Sequence, residues 1–375
     1  MAEYLTNTTD LTKVASAIRE KGGTSASLVY PDGFVTAIQA IQTGTELQII
    51  VTVESGATVT ATKGSLSVSG KSVNGTCTLT VPEAGTWSVS ATLGGQTSET
   101  KTVSVTGSYA VALLFVSSTL NNNDWSVIKS VSDAGQGANY WSIGDRKAVT
   151  LNGTVGHLSL SNYTTYAFII GFNHNASVEG SNRIHFQLAK TALSGGTDIA
   201  FCDSSYSSSV SATGYFSMNS SRTNSGGWAS SQMRTNICGT SLMSYSGTII
   251  AVIPAALRAV LKSVTKYTNN TGNSTAASAV TATTDYFFLL SEYEVYGSRT
   301  YANSTEASYQ AQYAYYSAGN SKIKYKHSAT TAAVRWWLRS PRASASDRFV
   351  SVGNGGKIGN NSAYASRGFA PGFCV

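Results

Sequence analysis

The sequence predicts a β-rich α+β chain of several domains, and three observations carry that prediction. Its 375 residues exceed one typical domain of ~100 to 200 residues. The hydrophobic period is helical at the start and changes to two further on. Only 12% of residues are charged although 42% are apolar, against ~25% charged in an ordinary globular chain, so real cores sit under a neutral surface rich in Ser, Thr, Asn and Gly.

Residues 1–44 read as a short helical region. In DLTKVASAIREKGG, Leu11, Val14, Ala15 and Ile18 recur at helical spacing, Thr9 or Asp10 can cap the start, and Gly22 and Gly23 can end it. After YPDG, Phe34, Ile38 and Ile41 mark a second stripe. Isolated helices shorter than ~12 to 15 residues are marginal, so the pair needs a partner surface: the rest of its own chain, sister chains or a larger assembly.

Residues 45–106 alternate apolar and polar side chains between Gly, Pro and Asn turns, as in LQIIVTVESGATVTATKG and CTLTVPEAGTWSVSATLGG. That pattern fits an antiparallel sandwich with one buried face per sheet, and Trp87 is its candidate core aromatic. Residues 107–375 form the largest unit. There IPAALRAVLKSV predicts a helix with Leu257, Val260, Leu261 and Val264 on one face, YFFLLSEYEVYG predicts a strand, and NNTGNSTAASAVTATT reads as loop.

Several classes are disfavoured. The opening residues contain acids and no continuous apolar core, unlike a signal or transit peptide. The longest apolar run, residues 109–116, is far short of the ~20 needed to span a bilayer and reads as a buried strand; no membrane insertion is expected. Cys77, Cys202, Cys238 and Cys374 lie far apart, signalling neither a zinc site nor a disulfide framework. Charge is concentrated at one end: from Ala307 to Val375 nine Lys and Arg face Asp347 alone. No nucleic-acid-binding signature accompanies them, so the excess suits either solvated structural cations or an anionic surface partner.

Motifs of catalysis are also missing. There is no GxSxG or HExxH, and His157, His174, His185 and His327 lack metal-ligand spacing. Ser126 and Lys129 match SxxK without companion motifs, and Gly353 to Lys357 imitates a phosphate loop with too short a spacing and no following Ser or Thr. A hairpin turn reads better there. Neither enzyme chemistry, metal nor cofactor is expected.

The order of anchors WSIGD, IIGFNH, LLSEYEVYG and WWLRSP resembles the C-type-lectin-like domain of phage and gut-bacterial proteins, a fold related to that of sulfatase-modifying enzymes. The resemblance covers most of residues 139–375. The closing GFAPGF resembles the end of variable proteins diversified by retroelements in phages. VPEAGTWSVSA resembles immunoglobulin-like modules of bacterial surface and phage structural proteins, and TDLTKVASAIREKGG with YPDGFVTAIQAI resembles the opening of phage tail-associated proteins. Together these imply an attachment region at 1–44, an immunoglobulin-like spacer at 45–106 and a lectin-like head at 107–375. The implied protein sits at a virion tail tip or fibre, is a homotrimer, joins other tail proteins through its first region and binds a bacterial cell-surface protein or anionic glycan. A sulfatase-modifying-like or glycan-processing enzyme, or a non-diversified structural adhesin, are the alternatives.

By the same resemblance the variable region is 342–367. Phe349, Val350, Val352 and Ile358 can hold a sheet there. Arg342, Ser344, Ser346, Asp347, Arg348, Ser351, Asn354, Lys357, Asn360, Asn361, Ser362, Tyr364, Ser366 and Arg367 are then the outward, ligand-binding candidates. Tyr and Arg supply contact area and planar charge, while Ser, Asn and Gly adapt. Trp336 and Trp337 could stack on a sugar, but an adjacent aromatic pair argues for core packing.

Overall fold

The helical spacing of Leu11, Ala15 and Ile18 does place them on one face of α1 (Thr8–Gly22), against Phe34 of α2 (Asp32–Ala40). A computed structural model provides the structure and describes residues 8–22, 25–40, 46–207 and 214–375. Thr9 and Asp10 lie inside α1, not at its cap; Gly23 and Ile41 fall outside the described residues. Among the described residues of this region only Ala15, Ile18 and Phe34 are buried, while Val14 and Ile38 remain about half exposed because two short helices cannot cover so wide a stripe.

The alternating segments pair as expected into two sheets around one core. β1 (Gln48–Thr52), β4 (Thr76–Thr80) and β8 (Ser108–Ala112) form one, in the order β4-β1-β8. β2 (Thr58–Lys63), β3 (Leu66–Lys71), β5 (Gly85–Leu93), β6 (Gln96–Thr97) and β7 (Lys101–Val105) form the other. Ile49, Val51, Val59, Ala61, Leu79, Trp87, Val89 and Val103 meet inside. The indole of Trp87 donates to the Glu83 carbonyl at 3.2 Å, so its polar edge is satisfied inside the apolar site.

This module runs past the expected boundary at 106. β8 pairs in parallel with β1, and Leu113 donates its amide to the Thr52 carbonyl at 2.9 Å. The chain accordingly separates into Met1–Phe115 and Val116–Val375. Residues 109–116 are not the buried strand anticipated: β8 is an edge, and Tyr109, Ala110 and Ala112 are exposed.

The second unit is built on several separate sheets. β9 (Arg146–Val155), β10 (Leu158–Phe172) and β11 (Ile184–Lys190) are consecutive antiparallel neighbours. β12 (Ile199–Ala200) pairs elsewhere, while β13 (Val264–Asn269) and β14 (Val280–Asp285) make a hairpin. β15 (Phe287–Phe288), β16 (Lys324–Lys326) and β17 (Ala329–Val334) follow. β18 (Trp336–Pro341), β19 (Arg348–Val352) and β20 (Ile358–Ser362) form an antiparallel meander. The last strand, β21 (Gly372–Cys374), inserts between β11 and β15, giving a five-stranded sheet ordered β15-β21-β11-β10-β9.

Three local readings are corrected. The helix expected from Ile253 onward stops at Arg258, because Lys262 is drawn into backbone pairing with Cys374 and Val264 starts β13; the four apolar residues are buried all the same. In YFFLLSEYEVYG only Phe287–Phe288 is strand. Ser291 and Glu294 then form a reciprocal capping box for the helix Glu292–Tyr296, which ends at Gly297 with φ of 66°. Finally, VTATTD is strand β14, since its pairing with β13 outweighs its loop-like composition.

Candidate binding surface

Trp336 and Trp337 are neighbours on β18, so their side chains leave opposite faces of the strand, yet both are fully buried. This sheet is therefore covered on both sides. The Trp336 indole donates to the Lys322 carbonyl and that of Trp337 to the Phe216 carbonyl, each at 2.9 Å. The pair is core scaffold, as its adjacency suggested. Two residues on, Arg339 is also fully buried and forks onto Glu294 at 2.5 and 2.8 Å.

Glu294 also accepts from Lys266 at 2.9 Å, and Lys266 reaches Glu179 at 2.6 Å and the Tyr313 hydroxyl at 2.9 Å. Two carboxylates and two cations thus balance in the interior. His174, Glu179 and Glu294 bring ligand-type atoms within 4.8 Å of one another, but the Lys266 ammonium already fills the cation's place between the carboxylates. Burial, reinforced by Lys266, lowers the His174 pKa to about 3, which keeps the imidazole neutral. The group is an internal ion network joining the short helix Ala176–Glu179, β13, β18 and the helix Glu292–Tyr296.

On this frame sits the segment anticipated as variable. Phe349, Val350 and Val352 of β19 are fully buried, and Ile358 of β20 packs half-buried on the same core. The loop between β18 and β19 closes through the Arg342 amide on the Arg348 carbonyl at 3.0 Å. Gly353 to Lys357 is the hairpin turn between β19 and β20, with the Gly353 amide on the Lys357 carbonyl at 2.7 Å.

The outward candidates divide. Ser344, Ser346, Asn354 and Lys357 are exposed, and Arg342, Asp347, Arg348, Asn360, Asn361 and Tyr364 are half-buried. Four others are corrected, because they point into the protein. Ser351 is fully buried and bonds Asn361 at 3.0 Å across the sheet. Ser362 closes β20 opposite Arg348 and is 5% exposed. Ser366 bonds buried Asp203 at 2.6 Å, and Arg367, 2% exposed, donates to the carbonyls of Ser207 and Ser366. From Ala365 onward every residue is buried.

Three contributors come from elsewhere in the chain. Asn224, almost wholly buried, donates its side-chain amide to the carbonyls of Arg342, Ala345 and Arg348 and accepts nothing from the loop in return; its own backbone amide bonds the Ser346 carbonyl at 2.8 Å. Tyr301 carries the Arg342 guanidinium over its ring at 5.2 Å, and Arg222 lies 5.1 Å over the ring of Tyr364. In the sequence, Asn224 stands in TNSGG and reads only as a turn former. Nothing local marks it as the support of a loop 120 residues away.

Ser126 and Lys129 lie one turn apart on the helix Trp125–Asp133, where Lys129 pairs with Asp133. Burial pushes the Cys202 thiol up to about 12 and raises those of Cys238 and Cys374 well above the usual thiol range, so thiolate is disfavoured at each.

A family model described as a domain of unknown function, DUF6273, matches residues 209–375. That interval holds β13 to β21, including the buried Trp336 and Trp337 and the whole 342–367 segment. No curated protein and no solved structure matches the chain.

Proposed function

We propose that the protein is a phage tail receptor-binding adhesin that attaches to a bacterial cell-surface ligand through the 342–364 face of its C-terminal unit. One observation carries this reading: between Arg342 and Tyr364 ten polar side chains are exposed or half-buried, on strands and turns anchored by fully buried Phe349, Val350 and Val352. Tolerance to change and capacity to bind have the same structural cause, since replacing an outward Ser, Asn or Tyr leaves Phe349, Val350, Val352 and the two Trp in place. The resemblance of WWLRSP and GFAPGF to fixed ends of diversified lectin-like proteins supports it. So does their burial, with Gly368 so close to Ala200 and Trp336 that a side chain would collide.

The first two regions serve attachment and spacing in this account. The α1–α2 pair buries three apolar side chains and exposes Val14, Val29, Tyr30, Val35 and Ile38, a surface suited to sister subunits of a trimer or to another tail protein. Buried thiols of raised pKa weigh against the sulfatase-modifying-like alternative. The test is retention of the purified full chain on intact bacteria, with a reverse transcriptase gene and a template copy of the 342–367 coding segment sought in the neighbouring DNA. Failure to bind any bacterial surface would contradict the reading.

A further inference from the structure

Among the charged groups on the display, two converge. The terminal nitrogens Nη1 of Arg342 and Arg348 both donate to one atom, Oδ1 of Asn360, at 3.4 and 3.1 Å. A neutral amide oxygen is thus shared between two cations. Asp347 is the acid beside them, 3.6 Å from Arg348 Nε and reaching that guanidinium alone. Like charges held this close are unfavourable unless an anion joins them, and here the protein supplies at most half of the countercharge.

The two guanidiniums are also held in place. Arg342 lies over Tyr301 and its Nε donates to Ser344 at 3.2 Å. Both backbone carbonyls, of Arg342 and of Arg348, are tied to the buried side chain of Asn224 at 3.2 and 2.9 Å. Preorganisation of this kind lowers the ordering cost of binding, and a fixed guanidinium fork matches an oxyanion better than a mobile ammonium does.

We infer that Arg342, Arg348 and Asn360 form an oxyanion subsite that takes a carboxylate or phosphate group of an acidic surface polymer. This rests on the proposed adhesin function and names the chemistry of its ligand. An incoming oxyanion bridges the two guanidiniums, the Asn360 side chain turns to donate its Nδ2 to the ligand, and Tyr301 walls one side. Because Asn360 and Ser344 stand among the residues taken to vary, the cation pair can be built or lost by substitution without touching the core.

The test uses the full chain and three soluble polymers: polygalacturonate for carboxylate, poly(glycerol phosphate) for phosphate and dextran as a neutral control. Affinities are measured at ~0.15 M salt, where surface charges are screened beyond about 8 Å. Arg342→Gln and Arg348→Gln are compared with Lys71→Gln, which removes the same charge from strand β3 of the sandwich, and with Arg348→Lys, which keeps charge but loses the fork. The inference expects at least tenfold loss of binding to one acidic polymer for either Gln variant, a smaller loss for Arg348→Lys, and less than twofold change for Lys71→Gln. Which polymer responds identifies the source of the oxyanion. Equal losses in all three Gln variants, equal binding to dextran, or no binding to either acidic polymer would overturn it. Retention on bacteria with both Arg residues replaced would overturn the subsite while leaving the adhesin reading intact.

Discussion

Asn224 holds the backbone at Arg348: its Nδ2 lies 2.9 Å from the Arg348 carbonyl and also 2.7 Å from that of Ala345 in the same loop. One buried amide thus fixes the loop that carries half of the proposed binding surface. Its partners are main-chain oxygens, so the bond survives any change of side chain in the loop. A frame that fixes backbone without reading side chains is what a variable surface requires.

Removing that amide should therefore loosen the loop whatever its sequence. Asn224→Ala strands buried carbonyls at a cost of about 1 to 3 kcal/mol. Denaturant melting should report that loss, and the ligand should dissociate faster. Unchanged stability together with unchanged dissociation would show that the loop is held by other contacts.

Scaffold and display should respond oppositely to truncation. Trp337→Ala removes a fully buried indole and its bond to Phe216, which should cost about 3 to 5 kcal/mol. Tyr364→Ala and Arg348→Ala should keep the melting midpoint and weaken binding to bacteria. A Trp337→Ala protein that melts normally yet binds nothing would contradict the division and place the indole at the ligand.

The internal ions should be intolerant of partial removal. Glu294→Gln leaves the fully buried Arg339 and Lys266 with a single carboxylate, Glu179, that reaches Lys266 alone. Breaking a buried pair in this way costs about 3 to 5 kcal/mol. Chemical denaturation checks the value, and a loss below about 1 kcal/mol would indicate that water enters and screens the site.

Stability should also depend on pH through Glu306. Burial is the main cause that pushes its carboxyl up to about 7, partly offset by hydrogen bonds from Ser340 and the Asn269 amide. The folded state then keeps a proton that the unfolded chain releases near the ordinary Glu value of ~4.3. The contribution is fully present below that value and is lost as pH rises through about 7. Glu306→Gln, a neutral mimic of the protonated acid, should flatten the slope of stability against pH in that window. An identical slope in the variant would assign the titration elsewhere.

How much of this was legible depended on whether the deciding contacts were local. Alternation in residues 45–106 is legible because one face of the strands it contains is buried and the period records it directly. WWLRSP was recognisable as scaffold from its adjacent indoles. The helix at Glu292–Tyr296 was misread as strand although Ser291 and Glu294 carry the capping-box spacing, since the apolar run before them dominated the pattern. Val280–Asp285 looked like loop because its polar face masks a strand defined by pairing alone.

Exposure along residues 342–367 was legible only in part, and the reading fails at the end of the segment. Ser366 and Arg367 have the same residue types as Ser344 and Arg348, and composition cannot distinguish them. What separates them is long-range: Asp203 takes the Ser366 hydroxyl, and the Ser207 carbonyl takes the Arg367 guanidinium. Asn224 and Tyr301 were invisible for the same reason, standing more than 40 residues from the loop they support.

In the proposed account the outward residues between 342 and 364 vary in binding without varying the fold. The most direct measurement is a library of the full chain randomised at Ser344, Ser346, Asp347, Asn354, Asn360 and Tyr364, sorted on intact bacteria and then melted clone by clone. The account predicts clones that share the parental melting midpoint and differ widely in which bacteria they bind. Clones that bind like the parent whatever their sequence, or that mostly fail to fold, would contradict it.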